Sequence, residues 1–299
     1  KHVIATVNGT SALHLAMHEL GLSEDNEVIT QALTFVATAN AISYTGAKPV
    51  FLDVDLDTYG LSPEALDTFL SKCAHKTDLY PINKKTKKII KAVVPMHTFG
   101  CPSRIKDIYD ICQEWGLDLI EDCAESLGSF SDGLHTGKLA RISTLSFNGN
   151  KIITTGGGGA VLTDDAKLAN SIRHIATTAK KQHPYRYIHD QISYNYRMPN
   201  LNAVLGLAQI SKLNNFLEKK RKLHTIYKDF FDSFGYKMQE ELKFSSSNFW
   251  LNSIEFNNSE ERDYFLKSTN SQNVFTRQIW DLMHKLNMFK ACERDSLRN

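Results

Sequence analysis

The sequence predicts an α/β fold, with a large domain over residues 1–215 and a smaller α+β domain over 216–299. Strand and helix patterns alternate through the first two thirds of the 299 residues, as an α/β domain requires. The composition, 42% hydrophobic and 23% charged, suits a chain that buries a core. Beyond that stretch the pattern changes to a long lysine-rich helix and aromatic, β-like segments, and this change sets the boundary.

Ser11 to Leu20 carries apolar residues at helical spacing after the turn Asn8-Gly9-Thr10. Glu27 to Thr30 reads as a short strand, Phe35 to Tyr44 as a helix and Pro49 to Val54 as a buried strand. Ser62-Pro63-Glu64 is a helix start with proline just inside it. Ile89 to Pro95 is apolar and β-branched, hence a central strand. A helix over Asp107 to Glu114 and a strand over Leu117 to Ile120 follow, and Thr144 to Phe147 and Ala160 to Thr163 complete the strand set. The second part holds a long helix, Leu201 to Leu223, the β-like Lys243 to Phe256 and a helix over Glu260 to Ser268.

The net charge is +2 with acids and bases interspersed, which argues against a nucleic-acid partner, since that leaves a concentrated basic face. The basic run Asn83 to Lys88 precedes an apolar strand and reads as a solvated loop. Five cysteines, with no CxxC pair and no histidine at zinc-ligand spacing, read as reduced thiols. No apolar stretch reaches bilayer length. Lys1 to Val7 is too short and strand-like for a signal peptide, so a cytoplasmic protein is expected.

Ser146-Phe147-Asn148-Gly149-Asn150-Lys151 leads into four glycines, Gly156 to Gly159. A phosphate loop needs its lysine after the glycines and a helix beyond. Here the lysine comes first and a strand follows, so the glycines read as a tight turn that lets backbone pass close to something bulky. Lys151, at a strand end beside that turn, would lose solvation and become a nucleophilic amine; from this segment alone an ordinary surface lysine is an equal reading. Leu117 to Asp122 is a strand ending in two carboxylates, and alternation sends Glu121 and Asp122 to opposite sides of the sheet. An aspartate at the carboxyl end of a strand sits where α/β sheets bind ligands. It could hold the protonated pyridine nitrogen of pyridoxal phosphate, the cofactor that pairs with a lysine Schiff base. A structural or metal-binding aspartate is the alternative, although no matching ligand cluster is visible. Asn8-Gly9-Thr10-Ser11 opens a helix, and its free amides and hydroxyls fit a phosphate or serve simply as a cap.

Taken in this order, the segments resemble the DegT/StrS family of sugar aminotransferases over nearly the whole chain. The residues that carry the resemblance are Asn8 to Leu13, Glu121 to Gly128, Ser146 to Gly159 and Tyr194 to Pro199. The resemblance implies the aspartate-aminotransferase fold (fold type I), pyridoxal 5′-phosphate as cofactor and a homodimer with shared active sites. It also implies that Lys151 anchors the cofactor, Asp122 pairs with its ring nitrogen and Phe35 stacks on the ring face, although Phe35 serves equally as a core aromatic. Thr10, Ser11 and Ser146 would bind the phosphate. Asn195 would reach the phosphate in the neighbouring subunit, with Tyr196 and Arg197 near that site; loop structure ahead of the long helix is the plainer reading of Asn195 and Arg197. Glu125 stands beside the ring hydroxyl where the family more usually has glutamine.

Family members also run further at both ends than this sequence, so a fragment is expected. Ser146 to Gly159, together with Thr276 to Trp280, resembles the branch acting on 4-keto-6-deoxy sugars linked to UDP or GDP. Arg277 is a candidate for substrate contact or, equally, a surface ion pair, and His284 reads as structural. The reaction expected is a two-stage, ping-pong amino transfer. An amino-acid donor, glutamate by resemblance, gives its amino group to the cofactor, and a keto sugar then takes it. A dehydratase of the same family carries histidine at the lysine position, so Lys151 argues against it. A sugar-sensing regulator would not need Lys151 and Asp122 together.

Overall fold

The computed structural model describes residues 1–298. Seven principal strands are β1 (His2–Thr6), β2 (Asn26–Gln31), β3 (Lys48–Leu52), β4 (Ile89–Val94), β5 (Asp118–Asp122), β6 (Ile142–Ser146) and β7 (Gly159–Thr163). They form one mixed sheet in the order β1-β7-β6-β5-β4-β2-β3, with a short antiparallel extension from β4 through Ile82–Asn83 to Ala74–His75. β3, β2, β4, β5 and β6 run parallel, and β7 is antiparallel to both β6 and β1. The carboxyl ends of β2, β4, β5, β6 and β1 therefore open on one side of the sheet.

The flanking helices are α1 (Gly9–Glu19), α2 (Val36–Tyr44), α3 (Pro63–Cys73), α4 (Ile105–Trp115) and α5 (Ala166–Ala176). α1, α2 and α5 cover one core with Leu13, Met17, Ile42, Ile172 and Val161, while α3 and α4 cover another with Leu66, Phe69, Ile108 and Val93. Sheets of this kind bury both faces, which is why β2 reads as a continuous buried run rather than alternating. α5 was not expected. Asp165 caps it by accepting the Lys167 and Leu168 amides, and Leu168, Ala169, Ile172, Ile175 and Ala176 are its buried stripe.

The expected helix over Leu201 to Leu223 divides into α6 (Asn200–Ile210) and α7 (Leu213–Asp232), with Ser211 and Lys212 between them. The aromatic stretch before α8 (Ser259–Ser271) contains only two-residue strands. One of them, Ser245–Ser246, pairs with Phe130–Ser131 in the first part of the chain. The last part of the chain returns to the large sheet. Phe51 exchanges backbone hydrogen bonds with Glu293 and Asp295 beside β3, and Met283 and Phe289 pack with Phe51 and Ala39. None of the described helices is long and apolar enough to cross a membrane.

Candidate active site

Thr6, Gly159 and Ser146 are paired across three adjacent strands, so the start of α1 lies directly over the end of β6. Asn8 caps the helix, its Oδ1 accepting the Ser11 amide at 2.7 Å. A Cβ on Gly9 would lie 2.8 Å from the Ser146 Cβ, and one on Gly159 would lie 2.6 Å from the Asn8 carbonyl. The bulky object that the glycine turn passes is thus the chain's own backbone. The missing side chains let the start of α1, which carries Thr10 and Ser11, settle against Ser146 at a positive helix end.

Lys151 stands farther along than expected. β6 ends at Ser146, and Lys151 occupies the turn after it, its amide bonded to the Asn148 carbonyl at 3.0 Å. Its side chain is 12% exposed, with Nζ 3.2 Å from Glu125 Oε1 and 3.8 Å from the centroid of the Trp250 ring. A carboxylate and a π face therefore surround the amine.

Glu121 and Asp122 do face opposite sides of the sheet. Thr38 Oγ1 donates to Asp122 Oδ2 at 2.8 Å, and the Ala124 amide donates to Oδ1 at 3.1 Å. Thr34 completes the chain, 2.9 Å from the Thr38 hydroxyl. Burial pushes the Asp122 carboxyl above its ordinary range, while the Thr38 and Ala124 hydrogen bonds and the charge of Lys151 act against that rise. Glu121 lies on the other side. It accepts from the amides of Gly137, Leu139 and Ala140 and lies 3.2 Å from His97 Nε2. The His97 Nδ1 accepts the Ser103 amide at 3.1 Å, which leaves Nε2 to carry the proton. Burial disfavours the Glu121 charge, yet the His97 imidazole and those amides hold its carboxyl below the ordinary range.

Glu125 is 3% exposed, and its Oε2 accepts the Phe99 amide at 2.9 Å. Burial pushes its carboxyl up to about 7, with the Lys151 charge and the Phe99 amide opposing the rise. A neutral glutamine in the same place would not titrate.

The remaining expected residues lie farther out. Phe35 caps α2, is 47% exposed and meets Trp280 edge-on with centroids 5.8 Å apart. Trp280 also touches Phe99, 5.1 Å away. Arg277, three residues before Trp280, is exposed and makes no ion pair with any described residue. Asn195 and Arg197 are exposed and line a groove with Val7, Met198 and Asn200. Tyr196 turns inward, its hydroxyl 3.2 Å from His14 Nδ1 and its ring stacked on Tyr194. The sequence reading missed Thr38, Phe99, Asn248 and Trp250. Thr38 was within reach, three residues after Phe35 on the same helix face. The other three converge only through the fold.

The chain matches the DegT/DnrJ/EryC1/StrS aminotransferase family over residues 1–298. It is 37% identical to the GDP-perosamine synthase of Escherichia coli O157:H7 over 94% of this chain and 72% of that protein. It is 34% identical to the GDP-perosamine synthase of Vibrio cholerae over 97% of this chain and 75% of that protein. Among solved structures, a DegT DnrJ EryC1 StrS aminotransferase from Brucella abortus superposes with a TM-score of 0.89 at 27% identity. That match covers 99% of this chain and 76% of the other.

Proposed function

Because the chain belongs to the DegT/DnrJ/EryC1/StrS aminotransferase family, whose cofactor is pyridoxal phosphate, we propose that it transfers an amino group to a nucleotide-linked 4-keto-6-deoxy sugar with Lys151 as anchor. The reading rests on one observation: the buried Asp122 closes β5, and the nearly buried Lys151 amine lies 3.2 Å from Glu125, three residues beyond it. Relatives at 37% and 34% identity carry the name GDP-perosamine synthase, which supports a GDP-linked keto sugar as substrate.

The crevice suits the cofactor on the chemistry of its side chains. Asp122 is a buried carboxylate whose charge a protonated ring nitrogen would compensate. Thr10 and Ser11 lie at a helix start set against Ser146, where Gly9 leaves room for close approach, the setting a phosphate requires. When bound, pyridoxal phosphate supplies a carbonyl that condenses with amines and a ring that withdraws electrons from the carbon beside them. Lys151 would hold the cofactor through Nζ, and its free amine would move the proton of the donor's amine-bearing carbon. Asp122 keeps the ring nitrogen charged, and Thr38 keeps Asp122 oriented. Phe35 and Trp280 wall the outer side.

Arg277 takes the phosphates of the sugar nucleotide; its exposure and lack of an ion pair with a described residue support that role over a surface bridge. Glutamate is the proposed donor. The active enzyme is a homodimer, in which Asn195 and Arg197 serve the neighbouring subunit's site, while Tyr196, turned inward to His14, braces the segment between them. Helix α6 supports the dimer: it buries no residue, and Leu201, Val204, Leu207 and Ile210 are all more than half exposed, as in a helix awaiting an interface. Its setting is the cytoplasm, where the five free cysteines would stay reduced.

The deciding experiment is borohydride reduction of the protein with pyridoxal phosphate, followed by peptide mapping and an assay with glutamate and a GDP-linked 4-keto-6-deoxy sugar. An adduct on Lys151 with amino-sugar product supports the reading. An adduct elsewhere, or none, overturns it.

A further inference from the structure

Trp250, in the segment Asn248-Phe249-Trp250 outside the sequence motifs, packs against the Lys151 amine. The Trp250 ring lies 3.8 Å from Nζ, and its indole N–H donates to the carbonyl of Asn150, the residue before Lys151, at 2.7 Å. Asn248 Nδ2 donates to the Glu125 and Leu127 carbonyls at 2.8 and 3.0 Å, while its Oδ1 accepts the Trp250 amide at 2.8 Å. One buried side chain therefore ties the aromatic wall to the residue that supplies the carboxylate wall.

Two backbone positions beside these walls are in the left-handed region without being glycine, Phe99 at φ 57° and Phe249 at φ 46°. The first aims its amide at Glu125; the second immediately precedes Trp250. Gly100 must lack a side chain, since a Cβ there would lie 1.8 Å from Asn248 Oδ1. Left-handed backbone persists for bulky residues only where the surroundings impose it. In this protein two such residues and one crowded glycine adjoin Glu125, Asn248 and Trp250, the residues around the lysine.

We propose that Glu125 and Trp250 form a seat for the Lys151 amine during the stages in which it is not bonded to the cofactor, with Asn248 as the positioning residue that holds the two walls in register. The inference rests on the reading of Lys151 as anchor and proton carrier. A lysine side chain has four rotatable bonds and loses much freedom when fixed. An amine released in every cycle would otherwise wander from the reacting carbon. The carboxylate attracts its charge, and the ring face attracts it without competing for its protons. Together they return the amine to one place.

The test uses the protein loaded with pyridoxamine phosphate, which leaves Lys151 free, and cyanate at pH 7.5 as probe. Carbamylation is read on the Lys151 peptide by mass spectrometry, with the exposed Lys138 as internal reference. Glu125→Gln and Trp250→Leu are expected to raise the Lys151 rate roughly tenfold by removing the partners of the charged form. Trp250→Phe, which keeps a ring face, should stay within about twofold of wild type, and Asn248→Ala should fall between. Wild-type rates in both Glu125→Gln and Trp250→Leu would overturn the seat. Each variant is first checked for a borohydride adduct with pyridoxal phosphate on Lys151. If the adduct were missing in the wild-type protein, the reading of Lys151 as anchor would fall instead.

Discussion

Thr38 Oγ1 donates to Asp122 Oδ2 at 2.8 Å, and both residues are buried, at 0% and 2% exposure. The contact joins the first turn of α2 to the end of β5 and fixes which way the carboxylate faces. A hydrogen bond to a charged group inside a protein is worth about 1.5–3 kcal/mol, because water cannot replace the donor once it is removed.

Thr38→Val should therefore weaken pyridoxal phosphate binding roughly tenfold, read by absorbance titration, while Thr38→Ser stays near wild type. Equal affinity for Thr38→Val would mean that Asp122 is oriented without it.

Lys151→Ala should abolish the borohydride adduct and lower turnover on the order of a thousandfold or more, the combined loss of an anchor and a general base. Turnover near wild type would remove Lys151 from the chemistry.

The Glu125 carboxyl is raised from 4.5 to about 7. A group whose folded value is raised contributes stability that is complete below its unfolded value and lost as the pH rises through the folded one. In the cofactor-free protein, stability should accordingly decline between about pH 4.5 and 7 on account of this residue. Glu125→Gln should flatten that part of a melting-temperature profile. A profile of unchanged slope in the variant would show that Glu125 is not the titrating group.

Gly159→Ala places a Cβ 2.6 Å from the Asn8 carbonyl and 2.7 Å from the Gly9 nitrogen, which must shift the start of α1. Overpacking of this kind costs about 1–3 kcal/mol. Affinity for pyridoxal phosphate should fall, while affinity for pyridoxal, which lacks the phosphate, should change little. An equal loss for both would argue that the helix start does not hold the phosphate.

Leu207→Arg, on the exposed face of α6, should halve the mass seen in sedimentation, because a buried unpaired charge is costly at an interface. A wild-type protein already monomeric at assay concentration would defeat the dimer.

Much of the fold was legible because its elements announce themselves locally. Ser62-Pro63 opens α3 by a cap and a proline whose geometry needs no distant partner, and the apolar run over Ile89 to Val94 forms a central strand. The opposite facing of Glu121 and Asp122 follows from alternation alone. The stripe of α5 was present in the sequence and passed over. The break between α6 and α7 was not legible, since neither proline nor glycine marks Ser211 or Lys212.

The sequence by itself determined the chemistry on offer: a lysine between a strand and a glycine turn, an aspartate at a strand end and hydroxyls at a helix start. Only the tertiary structure decided what surrounds the lysine. Trp250 is ninety-nine positions from Lys151 and Phe99 twenty-six from Glu125, separations over which no local propensity acts. Those contacts exist because Asn248 bonds the Glu125 and Leu127 carbonyls and strained turns at Phe99 and Phe249 aim their neighbours inward. Burial then sets the charges, since a carboxyl's pKa depends on what excludes water from it and not on the residues beside it in the chain.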